Sequence, residues 1–345
     1  MDALLKRARA EGTPLIDGDT ATFVWEGNNP PRLVGDFNKW TNDPGLLKEI
    51  TPGIWSYSLA LPADAYIEYA YQYTSDKDRL PDPFNVQTTP NGLGFVNHFF
   101  YMPKSAPTSL GRHLRGVARG KVTHHKVDCS FLIPGSTRTV HLYQPPTSDP
   151  CPLIVVFDGD DYLKRAHLPD IVDNLIAQKR IQPVALAMVA NGKSARFAEY
   201  ACSEATLGFI GRHLLPFAQQ NLRLIDPAGG NYGVLGASAG GLISLYAGLR
   251  LPDLFGRVLS QSGAFAGIDR HKPIVFDMIK YNPLQPLKIW MDCGKYEYLL
   301  DSNRDMHDVL KARGYDVTYR EYNGGHNYPA WRDDVEHGLE SLWEL

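Results

Sequence analysis

The apolar positions change rhythm once along this chain. Between residues 20 and 102, short segments alternate apolar and polar residues and stop at turn formers: ATFVW, PRLVGDF, IWSYSLALP, IEYAYQY and VNHFFYM. A period of two marks strands with one face buried, and several in succession predict a small β-sandwich. Residues 103–120, PKSAPTSLGRHLRGVARG, carry Pro, Gly, Ser and basic residues with little periodicity and read as a linker. The expected domains are therefore 1–105 (all-β), 106–120 (linker) and 121–345.

In the third stretch, strand patterns alternate with helical ones. PLIVVFDG (152–159), PVALAMVA (183–190), YGVLGAS (232–238), GRVLSQS (256–262), LKIWMDCG (287–294) and DVTYREY (316–322) are the strand candidates. Helical spacing appears in ATLGFIGRHLLPFAQQNL, AGGLISLYAGLRL, SNRDMHDVLKARG and YPAWRDDVEHGLESLWEL. This order predicts an α/β fold with a mostly parallel sheet flanked by helices. Several strands are apolar on both faces, as a sheet covered on both sides requires.

Composition narrows the class of partner. A length of 345 residues suits two domains, and 43% hydrophobic with 21% charged residues suits a soluble globular protein. A formal charge of -3 gives no global field for phosphate backbones or anionic lipid, so neither nucleic acid nor a membrane surface is expected. No run of about 18 apolar residues predicts a membrane helix. MDALLKRARAEG lacks the continuous apolar core of a secretion signal. Cys129, Cys151, Cys202 and Cys293 are scattered without a CxxC pair. Together these features predict a cytoplasmic protein needing no metal or other cofactor. A homodimer is compatible with the sequence.

The candidate chemistry centres on VLGASAGGL (234–242). A Gly-x-Ser-x-Gly run between an apolar strand and a helix is the sequence of a nucleophile elbow, in which Ser238 sits on a strained turn and its neighbours must be small. The bland alternative is a Gly-rich strand–helix turn without chemistry. If Ser238 is a nucleophile, the N–H of Ala239 faces the developing oxyanion. A base belongs after a late strand, and His326 follows DVTYREY and the bend Asn323-Gly324-Gly325. Three carboxylates compete as the third member: Asp292 in a strand, Glu297 in the loop beyond it, and Asp301 at an apparent helix start. Glu297 is favoured because a loop carboxylate can hold a histidine tautomer. The second oxyanion donor is expected at the N–H of Asp160, with Gly159 allowing close approach. A plain Asp-Gly turn is the competing reading.

These motifs carry a resemblance. VVFDGDDYL, GVLGASAGGLISLYAGLRLPDLFGRVLSQSGAF and YREYNGGHNYPAWRDDV resemble the enterochelin esterase group of the esterase D family, α/β-hydrolases that cleave esters. The resemblance implies Ser238 as nucleophile, His326 as base, Glu297 as third member, and a small-molecule ester as substrate. FVWEGNNPPRLVGDFNKW and its sequel resemble the early-set, immunoglobulin-like sandwich that precedes such hydrolases, and GDFNxW also resembles glycogen-binding modules. Trp25, Trp40, Trp55, Tyr69 and Tyr71 thus read either as a sugar-stacking platform or as core. Because the linker is short, the sandwich is expected to pack on the hydrolase and to lend Trp40 to the rim of the substrate opening. Arg196 looks like the arginine this family places beside its site, the alternative being a surface residue paired with Glu199. One departure stands out. After SQSGAF the chain continues AGIDRHKP, without the tryptophan-rich stretch that siderophore esterases of this group carry there. That departure keeps a feruloyl or acetyl ester on a sugar fragment open as substrate.

Overall fold

The protein is described by a computed structural model covering residues 3–41, 45–73, 79–92, 94–130, 132–133, 135–266 and 272–345. Two compact units make up the chain. One joins Met1–Pro107 to the segments Gly294–Tyr298 and Tyr322–Ala330, and the other holds Thr108–Cys293, Leu299–Glu321 and Trp331–Leu345.

In the first unit a helix, α1 (Ala3–Glu11), precedes the strands β1 (Leu15–Asp17), β2 (Thr20–Glu26), β3 (Arg32–Gly35), β4 (Gly45–Leu46), β5 (Lys48–Thr51), β6 (Ile54–Ala60), β7 (Tyr66–Gln72), β8 (Arg79–Leu80), β9 (Thr88–Pro90) and β10 (Val96–Tyr101). They form two antiparallel sheets, ordered β1-β2-β6-β5 and β4-β3-β7-β10-β9, with β8 on β7. Phe23 of β2 meets Tyr69 of β7 and Phe100 of β10 edge-on, at ring-centroid distances of 4.8 and 5.8 Å, so the two sheets share one aromatic core. Tyr69 and Tyr71 are wholly buried there and offer no face to a sugar. The Trp55 indole donates inward, to the Gly27 carbonyl at 2.8 Å.

The larger sheet takes strands β11 (Lys121–Asp128), β12 (Thr137–Gln144), β13 (Leu153–Phe157), β14 (Ala185–Val189), β15 (Tyr232–Ala237), β16 (Phe255–Gln261), β17 (Lys288–Gly294) and β18 (Asp316–Tyr322) in the order β11-β12-β14-β13-β15-β16-β17-β18. From β14 to β17 neighbours run parallel, and β11 and β12 form an antiparallel hairpin at one edge. The strand segments expected from sequence lie in this sheet. The β11–β12 hairpin is additional, because an edge strand reading KVTHHKVD, with mostly half-exposed or exposed residues, lacks a continuous apolar signal.

The connecting helices are α2 (Gly159–Lys164), α3 (Leu168–Ala177), α4 (Arg196–Tyr200), α5 (Glu204–Phe209), α6 (Leu215–Asn221), α7 (Ala239–Arg250), α8 (Val275–Tyr281), α9 (Leu300–Ala312) and α10 (Tyr328–Trp343). Every residue of β13, β14 and β15 is buried. Two glycines show why. A Cβ on Gly248 of α7 would meet Val258 at 2.5 Å, and one on Gly338 of α10 would meet Leu259 at 2.7 Å. Val258 and Leu259 are consecutive in β16 and point to opposite faces, so α7 and α10 cover the sheet from opposite sides.

At the end of α10 the Trp343 ring lies against the bare backbone of Gly233, where a Cβ would stand 2.4 Å from Cζ2. That indole is fully buried. Trp343→Ala is therefore expected to lower stability by about 3–5 kcal/mol, the cost of vacating a large aromatic site. Urea unfolding should show a lower midpoint with an unchanged slope; an unchanged midpoint would show that α10 does not brace the sheet.

Candidate active site

β15 ends at Ala237 and α7 begins at Ala239, so Ser238 is the single residue of the joint. Its backbone adopts φ 59°, ψ -122°, a conformation that side chains ordinarily avoid. Close packing enforces it. A Cβ on Gly236 would lie 2.5 Å from the carbonyl of Gly240, and a Cβ on Gly241 would lie 2.5 Å from Ser260 Oγ. Gly240 itself is less constrained, since its nearest contact would be Asp158 Oδ2 at 3.3 Å. The necessary glycines are thus 236 and 241, one position away from the symmetric reading of the motif. Ser238 N–H donates to the Gln261 carbonyl at 2.9 Å, and the Ser238 carbonyl accepts from Gly241, Leu242 and Ala264. Ser238 retains partial solvent access.

Asp160 and Ala239 occupy the first turns of α2 and α7, where backbone N–H groups have no acceptor within the helix. The bare Cα of Gly159 faces strand β14, since a Cβ there would fall 2.3 Å from the Met188 carbonyl carbon. Its smallness lets α2 start against the sheet. Asp158, just before it, takes a left-handed conformation, φ 55°, ψ 44°.

That residue explains Arg196. Nε and Nη2 of Arg196 reach Oδ1 and Oδ2 of Asp158 at 2.7 and 2.6 Å, and Nη2 also donates to the Ala237 carbonyl at 3.4 Å. Asn191 Nδ2 donates to Asp158 Oδ1 at 2.7 Å, and the Asp158 N–H donates to Tyr200 Oη at 3.1 Å. Asp158 is 1% exposed. Glu199, the partner in the alternative reading of Arg196, pairs with Arg138, and Arg196 forks onto the buried acid that opens α2. Sequence reasoning passed over Asp158, although a carboxylate wedged between an apolar strand and a glycine is the signal that could have marked it.

Asp160 turns its side chain to the buried His141 at 3.1 Å and to Lys164 at 3.2 Å. Burial pushes its carboxyl up, but hydrogen bonds from His141 and Lys164 outweigh this and hold it below the usual range. Burial lowers His141, whose Nδ1 lies 2.7 Å from Nδ1 of His124.

The histidine and the competing acids separate cleanly. His326 Nδ1 donates to Glu297 Oε2 at 2.7 Å; the Glu297 side chain is fully buried, and His326 keeps 23% exposure. Glu297 Oε1 accepts from the Gly294 N–H at 3.0 Å, and the Tyr298 ring lies 5.4 Å from that of His326. Asp292 instead accepts from the Trp290 indole at 3.0 Å and from Gln261 Nε2 at 3.3 Å, within β17. Asp301 is the second residue of α9, exposed and 3.8 Å from Arg304, and Leu299 takes the cap position. Trp40 is half-buried: its indole donates to Asp36 Oδ1 at 2.9 Å, and the Arg79 guanidinium lies 4.9 Å over its ring. The Glu297–His326 pair and Trp40 belong to the first unit, and Ser238, Asp160 and Arg196 to the second. Residues 267–271 of the AGIDRHKP passage lie outside the described residues.

A strand, a serine at positive φ and a helix on a largely parallel, doubly covered sheet define a protein of the α/β-hydrolase type. A family model described as "Esterase: Putative esterase" matches residues 133–342, and the chain belongs to that esterase family. It is 27% identical to the iron(III) enterobactin esterase of Escherichia coli K12 over 77% of this chain and 68% of that protein. The enterobactin esterase from Shigella flexneri, solved in the presence of enterobactin, has a similar fold, with a TM-score of 0.77 at 20% identity over 95% of this chain and 94% of that one. A ferulic acid esterase from Anaeromyces mucronatus aligns with a TM-score of 0.58 at 16% identity, over 69% of this chain and 96% of that one. Among the described residues no helix is long and apolar enough to cross a membrane, and no cluster of His, Cys, Asp and Glu has metal-binding geometry.

Removing the arginine fork strands a buried carboxylate, so Arg196→Ala is expected to lower stability by about 3 kcal/mol. Arg196→Lys should recover only part of the loss, because an ammonium cannot make the paired contacts. Thermal unfolding of both variants checks this; equal midpoints for wild type and Arg196→Ala would refute the role.

Proposed function

We propose that this chain is a serine esterase in which Ser238 is the nucleophile, His326 the general base and Glu297 the residue that orients it. The observation that carries the reading is the backbone of Ser238, φ 59° and ψ -122° at a strand–helix joint, a strained geometry of the kind that clusters at active sites. The Glu297–His326 hydrogen bond adds support: with Nδ1–H held by a buried carboxylate, Nε2 carries the lone pair.

In this reading the Ser238 hydroxyl attacks the ester carbonyl as His326 Nε2 takes its proton. The tetrahedral oxyanion accepts from the N–H groups of Ala239 and Asp160. Collapse expels the alcohol, which leaves with the proton from His326. Water then attacks the acyl-Ser238 ester by the same route, releasing the acid and restoring the hydroxyl. Arg196 and Trp40 are the proposed substrate contacts, with Gly159 giving the Asp160 turn its close approach.

The proposed substrate is a siderophore or a related phenolic or acyl ester, on the strength of likeness to enterobactin esterases. A second reading, a feruloyl or acetyl ester of an imported sugar, is favoured by AGIDRHKP standing where a tryptophan-rich stretch is expected. Residues 1–105 are read as an early-set, immunoglobulin-like sandwich, 106–120 as a linker and 121–345 as the hydrolase domain, supported by the two antiparallel sheets among residues 15–101. The reading places the enzyme in the cytoplasm, alone or as a homodimer, acting on a small molecule.

Comparing kcat/KM for ferric enterobactin, methyl ferulate, acetylated xylo-oligosaccharides and short p-nitrophenyl esters decides between the substrate classes. Ser238→Ala should remove turnover of all of them without unfolding the protein, since alanine already flanks position 238 on both sides; near-wild-type turnover would end the nucleophile assignment. Glu297→Gln should lower kcat by about 10⁴, as a wrong histidine tautomer does in serine proteases, while Asp292→Asn should cost far less. The opposite ranking would exchange the two roles.

A further inference from the structure

The GDFNKW turn has a use other than the sugar contact its wording suggests. Asp36 opens a single helical turn, Asp36–Asn38, and is 2% exposed. Its Oδ1 accepts from the Trp40 indole at 2.9 Å and its Oδ2 from the Glu68 N–H at 2.8 Å. On its remaining side lies the loop that carries the histidine. Asn327 Nδ2 donates to Asp36 Oδ2 across a long 3.4 Å, and a Cβ on Gly325 would stand 2.1 Å from the Asp36 carboxyl carbon. The residues on either side of His326 therefore both rest on one carboxyl group. The same loop is tied down at its start, where the Tyr66 N–H donates to the Asn323 carbonyl at 3.0 Å and Asn323 Nδ2 to Asp64 at 2.8 Å. At its end Asn327 Oδ1 accepts from the Ala330 N–H at 3.0 Å, in the first turn of α10.

We propose that Asp36 is a positioning residue that sets the loop of His326, so that the imidazole meets Glu297 in the one orientation useful for proton transfer. The proposal rests on His326 being the general base. Asp36 does not touch substrate in this scheme; it acts through residues 325 and 327. Its burial is costly: burial first, and then the charges of Glu68 and Glu297, push its carboxyl well above the usual range. A turn of the chain alone would be served as well by an apolar residue, which would avoid that cost. Three N–H donors directed at two oxygens also require an acceptor at both positions. Asparagine in place of Asp36 turns one acceptor into a donor that faces another donor.

The test uses the full chain and p-nitrophenyl acetate, with the far-downfield proton NMR resonance of the His326 Nδ1–H as a second readout. Asp36→Asn should lower kcat by about 10²-fold, the scale of a small misplacement of a catalytic group, with KM little changed. The downfield resonance should shift or broaden. Asn327→Asp, which keeps the acceptor for Ala330 but sets carboxylate against carboxylate, should do the same. Tyr69→Phe, which removes a 2.6 Å hydrogen bond to Asp82 in the same core, should lower the melting temperature without moving the resonance. Wild-type kcat and an unshifted resonance in Asp36→Asn would overturn the proposal, as would a kcat loss that Tyr69→Phe shares at equal destabilisation. If Asp36→Asn does not fold, Asn327→Asp decides on the same two criteria. The outcomes separate the two layers. Turnover surviving in His326→Ala refutes the catalytic reading, whereas a dead His326→Ala beside a fully active Asp36→Asn refutes only the role of Asp36.

Discussion

One backbone contact governs the rest of the candidate site: the main chain of Gly236 lies so close to that of Gly240 that no side chain fits between them. That approach folds β15 sharply into α7 and forces the intervening residue to positive φ. A non-glycine residue held there costs on the order of 1–3 kcal/mol, so the surroundings must supply what the turn itself does not. They do so through polar groups that are buried yet partnered. The Gln261 carbonyl takes the Ser238 N–H, and its side chain bridges the Tyr162 hydroxyl, the Trp331 carbonyl and Asp292. Asp292 thereby belongs to the hydrogen-bonded layer beneath the serine.

A similar logic recurs at three other buried acids. Asp158 is surrounded by Arg196, Asn191 and Tyr200, Glu297 by His326 and the Gly294 N–H, and Asp36 by Trp40 and the Glu68 N–H. Each carboxylate fixes a turn in which backbone geometry matters, at the entry to α2, at the end of β17 and at the loop before α10. Buried charge of this sort adds little net stability but penalises alternative arrangements, because a displaced partner leaves an unpaired ion in a low-dielectric interior.

What could be read from the sequence follows from the range of the forces involved. Parallel strands such as PLIVVFDG and YGVLGAS announce themselves because two buried faces demand continuous apolar residues, and the elbow because its glycines are local. Glu297 could be favoured over Asp292 from its place in a loop, since strand and loop are local properties too. The hairpin of β11 and β12 escaped notice because half-exposed edge strands carry polar residues such as His124, His125 and Lys126. The partners of Arg196 and Asp36 were illegible for a different reason. Asp158 precedes Arg196 by 38 residues, and Asn327 follows Asp36 by 291. A single chain records such pairs only as two unrelated polar residues. The aromatic set of the first 105 residues left two readings open, because tyrosines at strand spacing read alike whether they face a ligand or a core; Tyr69 and Tyr71 take the core one.

The composition of the smaller unit also sets a timetable. Its sheets are made from the first 107 residues, but it is completed by 294–298 and 322–330. At a translation rate of about 5–20 residues per second, roughly 10–40 s separate the emergence of the early strands from that of the closing loop. Throughout that interval Asp36 lacks Gly325 and Asn327, which close over it in the complete chain. The unit's last-made segment is therefore the one that carries the histidine, and Asp36 remains an acid that water can solvate until that segment arrives.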